Sequence, residues 1–313
     1  MQTKEQSSPV IEERDAMERA VEAANVPQNG VILETVVVTH GLPSPHNLVS
    51  AAQMSEAVER GGGKPLFTGF VDGALRVGMT MEELRDLVSR PDVIKAQARD
   101  IPLCVSRKLC AGTTVSAALA LAEHVGAEVV VTGGIGGVHR GYETSLDASA
   151  DLLEFTRRSA IVVSAGTKSL MDLDKTLEYL ETLGVPVVGY QTSEFPAFYS
   201  RSSGLHLEHR VDSPEEAVSF FKAMKEYGLS RSMLLCVPVA PEDSMDPEDV
   251  NRIVEEAHER ARVLSIKGKE LTPFLLTAMG VISNGRTVRC NLSLLRSNAY
   301  VAGRIASRLS RLG

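Results

Sequence analysis

Apolar positions in this chain fall into two alternating patterns. Short unbroken runs rich in Val and Ile occupy 31–33 with 36–38, 129–131, 160–163, 185–190 and 233–238. Such runs are expected of strands buried on both faces. Between them, apolar residues recur three or four positions apart. This spacing covers 11–24, 51–60, 81–89, 115–126, 152–158, 170–183, 213–227 and 288–312, and it predicts amphipathic helices. The punctuation agrees. Gly61, Gly62 and Gly63 close one helix, Thr80 with Glu82 and Glu83 opens another, and Asp246-Pro247 supplies an N-cap followed by a first-turn proline. Thr272-Pro273-Phe274 reads as one more helix start. Asp72-Gly73 between two short apolar runs is a hairpin signal, and Leu103-Cys104-Val105 reads as a further short strand.

Strands and helices alternate throughout, which predicts an α/β fold with a mainly parallel central sheet covered on both faces. No linker, internal repeat or low-complexity tract interrupts it. Residues 1–10 are expected to be a disordered N-terminus and 11–313 a single domain. With 43% hydrophobic residues in 313, a sizeable core is available. A net charge of −7, 4% aromatic residues and no Trp argue against a nucleic-acid partner, which wants basic faces and stacking rings. Cys104, Cys110, Cys236 and Cys290 show no CxxC pairing and sit among apolar neighbours, as expected of buried thiols in a reducing compartment. Neither a signal peptide nor a membrane-spanning run is visible, so the expected setting is cytoplasmic.

The candidate chemistry centres on Thr132-Gly133-Gly134-Ile135-Gly136-Gly137-Val138-His139-Arg140-Gly141, a glycine-rich loop directly after the run 129–131. Glycines admit close backbone approach and positive φ, and a helix start beyond them favours anions. The loop carries neither the GxGxxG spacing of dinucleotide sites nor the Gly-Lys-Ser/Thr of a P-loop. Asp147 and Asp151 follow it. Gly112-Thr113-Thr114-Val115 is a second helix start able to hold a phosphate. Glu34 stands among apolar neighbours, where burial would raise its pKa towards acid–base use; the alternative is an edge strand with Glu34 facing water. Lys168 falls just past the end of the run 160–163, where open α/β sheets place ligands. Glu194-Phe195-Pro196-Ala197-Phe198-Tyr199 reads as a pocket wall, and Asn291 and Asn298 as either satisfied core amides or ligand contacts.

Taken together, these stretches resemble the pseudouridine-5′-phosphate glycosidases, also called the indigoidine synthase A-like family. The resemblance runs in order from Leu33-Glu34-Thr35 and Thr39-His40-Gly41-Leu42-Pro43 through Lys95, Arg99-Asp100-Ile101-Pro102 and Gly112-Thr113-Thr114-Val115. It continues through the glycine loop, Asp147-Ala148-Ser149-Ala150-Asp151, Ser164-Ala165-Gly166-Thr167-Lys168-Ser169, Gly189-Tyr190-Gln191-Thr192, Thr272-Pro273-Phe274 and Asn291. It implies a homotrimer of α/β/α subunits that reversibly cleave pseudouridine 5′-phosphate to uracil and ribose 5-phosphate with one divalent metal, typically Mn2+, per subunit. By motif match Lys168 falls on the nucleophile, Glu34 on the proton donor and Asp147 on the metal ligand. Lys95, Val115, Ser149, Ala150 and Asp151 fall on substrate contacts, and Asn291 on the uracil end. Thr132, His139 and Arg99 are further expected contacts, Arg99 for the phosphate. Gln97-Ala98 stands where members usually read Ser-Arg, and Cys110-Ala111 where they read Asn-Gly. Arg107 and Lys108 are candidates to replace the lost charge. The competing readings are an imine-forming lyase on another 5-phosphosugar and a non-catalytic phosphosugar-binding accessory protein.

Overall fold

A computed structural model describes residues 26–266 and 271–312. The helix expected over 11–24 and the disorder expected of 1–10 lie outside the described residues. The strands are, in chain order, β1 (Gly30–Leu33), β2 (Lys64–Val71), β3 (Ala74–Val77), β4 (Ile94–Ala96), β5 (Ala111–Thr113), β6 (Val129–Val131), β7 (Val138–His139), β8 (Ile161–Ser164), β9 (Met171–Asp172), β10 (Val187–Tyr190), β11 (His209–Val211) and β12 (Met233–Cys236). The helices are α1 (His46–Arg60), α2 (Met81–Ser89), α3 (Ile101–Ser106), α4 (Val115–Val125), α5 (Tyr142–Ser145), α6 (Ala150–Arg157), α7 (Leu173–Thr182), α8 (Pro214–Glu226), α9 (Pro247–Val263), α10 (Leu271–Ile282) and α11 (Arg286–Ser310). Among the described residues, no helix is long and apolar enough to cross a membrane.

One sheet runs in the order β11-β10-β12-β8-β6-β1-β2-β5-β4, with β3 hairpinned onto β2 through Asp72-Gly73. All its pairings are parallel except β2–β3 and β2–β5. Side chains alternate across a strand, and here both faces are apolar. Val31, Leu33, Val129, Val131, Ile161 and Val163 pack with α1, α8, α9 and α11, whereas Ile32, Val130 and Val162 pack with α4, α6 and α7. This is the mainly parallel, two-sided sheet that the sequence predicts. Leu33 pairs with Val131, and Val131 with Val163, so the carboxyl ends of β1, β6 and β8 lie level.

Two expectations are corrected. Residues 36–38 do not continue β1: Val37–Gly41 winds into a π-helical turn closed by the Leu42 N–H on the Val37 carbonyl (3.1 Å). The cause is Thr35, whose N–H meets the Thr113 carbonyl (3.2 Å) and whose hydroxyl donates to the Thr68 carbonyl (2.6 Å), so the chain must leave the sheet there. Leu103, Cys104 and Val105 are helical within α3, where Pro102 occupies the first turn and Cys104 packs among Phe70, Ala96, Ala111 and Leu121. A three-residue apolar run has no period that would separate strand from helix.

Helices α1 and α11 cross almost backbone to backbone. A Cβ at Gly303 would sit 2.3 Å from the Val58 carbonyl oxygen, and one at Gly61 would sit 2.6 Å from that of Tyr300. Alanine is the better helix former by about 1 kcal/mol, yet here the clash dominates. Gly303→Ala is therefore expected to destabilise the protein by about 2 kcal/mol, read as a lower Tm in thermal unfolding. An unchanged or higher Tm would contradict the packing.

Candidate active site

The loops that follow the level strands β8, β6 and β1 carry Lys168, the glycine loop and Glu34 respectively. They converge at the carboxyl edge of the sheet, where α/β folds bind ligands. A cavity of about 280 Å³ opens there. It is lined by Glu34, Lys95, Arg99, Val115, Thr132, His139, Asp147, Ser149, Asp151, Lys168 and Asn291 from the sequence-derived set. Ala150 is not among the lining residues; it begins α6 directly behind Ser149.

Strand β1 lies inside the sheet between β2 and β6, which rules out the water-facing edge alternative for Glu34. Its carboxyl is 5% exposed. Oε1 accepts the Thr132 hydroxyl (3.1 Å) and Oε2 accepts the Val37 N–H (3.1 Å), a bond that the π-helical turn makes possible. Burial pushes the Glu34 pKa up, and Asp151 adds to this. The positive charge of Lys168 and the two hydrogen bonds oppose it. The net effect is an acid that keeps its proton to higher pH than an ordinary carboxyl. The Lys168 ammonium donates to the Gly134 carbonyl (2.8 Å).

The glycines of the loop serve close packing. Gly133, Gly134, Gly136 and Gly137 are absent from the positive-φ residues, which include only Gly141 from this loop. A Cβ at Gly134 would lie 2.6 Å from the Phe198 ring, one at Gly136 2.2 Å from Ser149 Oγ, and one at Gly137 2.4 Å from Thr176 Oγ1. Asp151 locks this packing. Its two oxygens accept the Gly136 N–H (2.8 Å) and the Ser116 N–H (2.9 Å), tying the loop to the start of α4. The amides that the sequence reserved for an anion are thus partly taken, since Thr114 also caps α4 by accepting the Ala117 N–H (3.4 Å). Among the described residues the Val115 N–H has no partner, so one amide of this helix start is left for a ligand.

Lys95 on β4 and Arg99 line the basic part of the cavity together with Gln97, whereas Arg107 and Lys108 are exposed and do not line it. His139 Nδ1 lies 3.9 Å from Asp147 Oδ2, and the Asp147 side chain is 58% exposed. Burial lowers the His139 pKa, with Asp147 opposing, which favours the neutral imidazole. No group of three or more His, Cys, Asp and Glu side chains suited to a metal occurs among the described residues. An exposed single carboxylate fits a hard divalent cation that keeps most of its waters, and does not fit a soft one that needs thiolates. Asn291 is buried with Oδ1 unpartnered and lines the cavity. Asn298 lies deeper and donates to two carbonyls. Of the aromatic patch, Phe198 lines the cavity while Phe195 and Tyr199 belong to the core. Thr272, Pro273 and Leu276 of α10 and Met171 also line the wall; Thr272 and Pro273 belong to the Thr272-Pro273-Phe274 stretch of the family resemblance, whereas nothing in the local sequence of Met171 or Leu276 marks them for it.

A carboxyl whose folded pKa lies above its unfolded value adds stability only below the unfolded value, here 4.5, and loses that contribution as pH rises through the folded value. Glu34→Gln is therefore expected to raise Tm at about pH 8, with the gain vanishing below about pH 4. An equal or lower Tm at the alkaline end would contradict the burial argument.

Residues 20–308 match the family described as indigoidine synthase A like protein. The pseudouridine-5′-phosphate glycosidase of Petrotoga mobilis is 40% identical over 282 residues, covering 90% of this chain and 92% of that protein. The crystal structure of an indigoidine synthase A-like protein from Thermotoga maritima superimposes with a TM-score of 0.85 at 38% identity, covering 92% and 96% of the two chains. The prealnumycin C-glycosynthase AlnA, solved in complex with ribulose 5-phosphate, gives 0.83 at 32% identity, covering 98% and 97%. The sequence match and the shared fold agree, and the chain belongs to the indigoidine synthase A-like family.

Proposed function

We propose that this protein is a pseudouridine-5′-phosphate glycosidase, which reversibly cleaves the C–C glycosidic bond of its substrate to uracil and ribose 5-phosphate. The observation that carries the reading is the meeting in one cavity of Lys168, on the loop after β8, and Glu34, a buried carboxyl of raised pKa at the end of β1, with β6 between the two strands. A C-glycoside has no leaving heteroatom to protonate, so the route of ordinary glycosidases is poorly suited to it. A lysine amine offers a covalent alternative. In its neutral form the Lys168 amine adds to C1′ as the C1′–O4′ bond breaks, and a proton of the resulting ammonium passes to O4′, opening the ribose. Glu34 then delivers its proton to the uracil carbon bonded to C1′. That C–C bond breaks with its electron pair passing into the uracil ring, while the nitrogen lone pair forms the C1′ iminium. Water hydrolyses the iminium, which releases ribose 5-phosphate, frees Lys168 and returns the proton to Glu34.

Lys95, Arg99 and the Val115 N–H are assigned to the phosphate, Asn291 to the uracil edge, and Ser149 and His139 to the sugar hydroxyls. Thr132 and Asp151 shape the site through their protein hydrogen bonds. Asp147 would hold one divalent cation, Mn2+, with water in the remaining positions. When bound, that ion would supply positive charge to uracil or phosphate oxygens through its waters. The likeness to a C-glycosynthase solved with ribulose 5-phosphate supports a phosphosugar substrate and chemistry at a C–C glycosidic bond. We assign the assembly to a homotrimer on the family likeness, and the setting to the cytoplasm, where four buried free thiols are at home.

Incubation with pseudouridine 5′-phosphate and manganese should release uracil, and chelation should lower the rate. Lys168→Ala should reduce release at least about a thousandfold with its circular dichroism unchanged. Full activity in Lys168→Ala would contradict the mechanism. No uracil from the wild type, with ribose 5-phosphate still bound, would favour the accessory-protein reading.

A further inference from the structure

Asn298 lies seven residues beyond Asn291 on α11, so the two amides share one helical face. Its side chain is fully buried. A buried primary amide is costly unless it is hydrogen-bonded. Nδ2 donates to the carbonyl oxygens of Thr132 (2.8 Å) and Gly133 (3.1 Å). Both partners are acceptors, so the amide must present its NH2 group to them. Oδ1 has no partner among the described residues, so the two donated bonds are made while a buried acceptor is left unmet.

The segment held in this way touches both reactive groups. The Thr132 hydroxyl donates to Glu34 Oε1 (3.1 Å), and the Gly134 carbonyl accepts the Lys168 ammonium (2.8 Å). Two glycines in three residues give this segment wide backbone latitude, so an external anchor is needed to fix it. The Gly133 carbonyl also accepts the Ala165 N–H (2.8 Å), and the Thr132 N–H donates to the Val163 carbonyl (3.1 Å). The Thr132 carbonyl depends on Asn298 for the only hydrogen bond it makes among the described residues.

We propose that Asn298 is a positioning residue for the reaction: by fixing the Thr132 and Gly133 carbonyls it sets where the Glu34 carboxyl and the Lys168 amine stand relative to each other. The inference rests on the reading of those two groups as acid and nucleophile. The charged groups facing Glu34 are Lys168, on the loop after β8, and Asp151, on α6. Neither is hydrogen-bonded to Asn298, whose two donated bonds both go to backbone carbonyls.

The test compares wild type, Asn298→Leu, Thr132→Val and the double variant in uracil release across pH. Asn298→Leu keeps the approximate shape and removes the donors. Its kcat should fall at least about tenfold, as misplacement of reacting groups does, with KM changed by less than about threefold. The Thr132 hydrogen bond favours the charged form of Glu34, so weakening it should move the alkaline limb of kcat to higher pH in both single variants. The double variant should lose less than the product of the single losses, because both act on one contact. A lower Tm with kcat and the alkaline limb unchanged, or fully multiplicative losses, would overturn the inference. If the leucine variant does not fold, Asn298→Asp decides. Its carboxyl donates only while protonated, so kcat should fall with rising pH before the wild-type limb, and a wild-type profile would overturn the inference. Inactive wild type overturns the reading of the site and the inference with it; active wild type with unaffected variants overturns the inference alone.

Discussion

The structure depends on one costly arrangement, a buried carboxyl and a half-buried lysine brought together at the level ends of parallel strands β1 and β8, on either side of β6. Burial disfavours the charged form of Glu34, and Lys168 only partly offsets this. What makes the arrangement tolerable is that both groups are hydrogen-bonded to backbone and hydroxyl partners fixed by the sheet. Thr35 just beyond β1, Thr68 on β2 and Thr113 on β5 form a buried hydroxyl cluster, which holds the residue after Glu34 in place. The π-helical turn then supplies the Val37 N–H to the Glu34 carboxyl. π-turns of this kind are uncommon and are found at functional sites; this one lets the chain leave the sheet while still serving Glu34.

The glycine loop has a corresponding role on the amine side. Its glycines admit Phe198, Ser149 and Thr176 to within distances that no Cβ would allow. The site is therefore a packed junction of loops, clamped by Asp151 and backed by α11. Such packing keeps the reacting groups preorganised and limits access of water to the acid.

Much of this was legible in the sequence, for reasons that can be stated. The β-branched runs at 129–131 and 160–163 announce strands buried on both faces, and the polar and glycine residues after them announce the ligand edge of the sheet. Lys168 stands out just past a strand end, Glu34 as a carboxyl within an apolar run, and His139 and Asp147 on and just after the glycine loop. What was not legible is what depends on partners distant in the chain. The run at 36–38 reads as strand because nothing nearby shows that Thr35 is held by Thr68 and Thr113. Asp151 reads as a cap or ligand, whereas its oxygens accept the Gly136 amide and the Ser116 amide, the latter 35 positions earlier. Asn298 reads equally as core or ligand contact, and only its bond to Thr132, 166 positions away, gives it a place. Leu276 reaches the cavity wall from a helix whose local pattern is that of ordinary core, whereas Phe198 belongs to the aromatic patch that reads as a pocket wall.

The central claim is that the Lys168 amine becomes covalently joined to the sugar carbon. Borohydride reduction of the protein mixed with ribose 5-phosphate, followed by peptide mass mapping, tests it most directly, because hydride converts the iminium to a stable amine. The account predicts a single reduced pentose phosphate adduct on the peptide that contains Lys168. An adduct on another lysine, or none while ribose 5-phosphate is shown to bind, would contradict it.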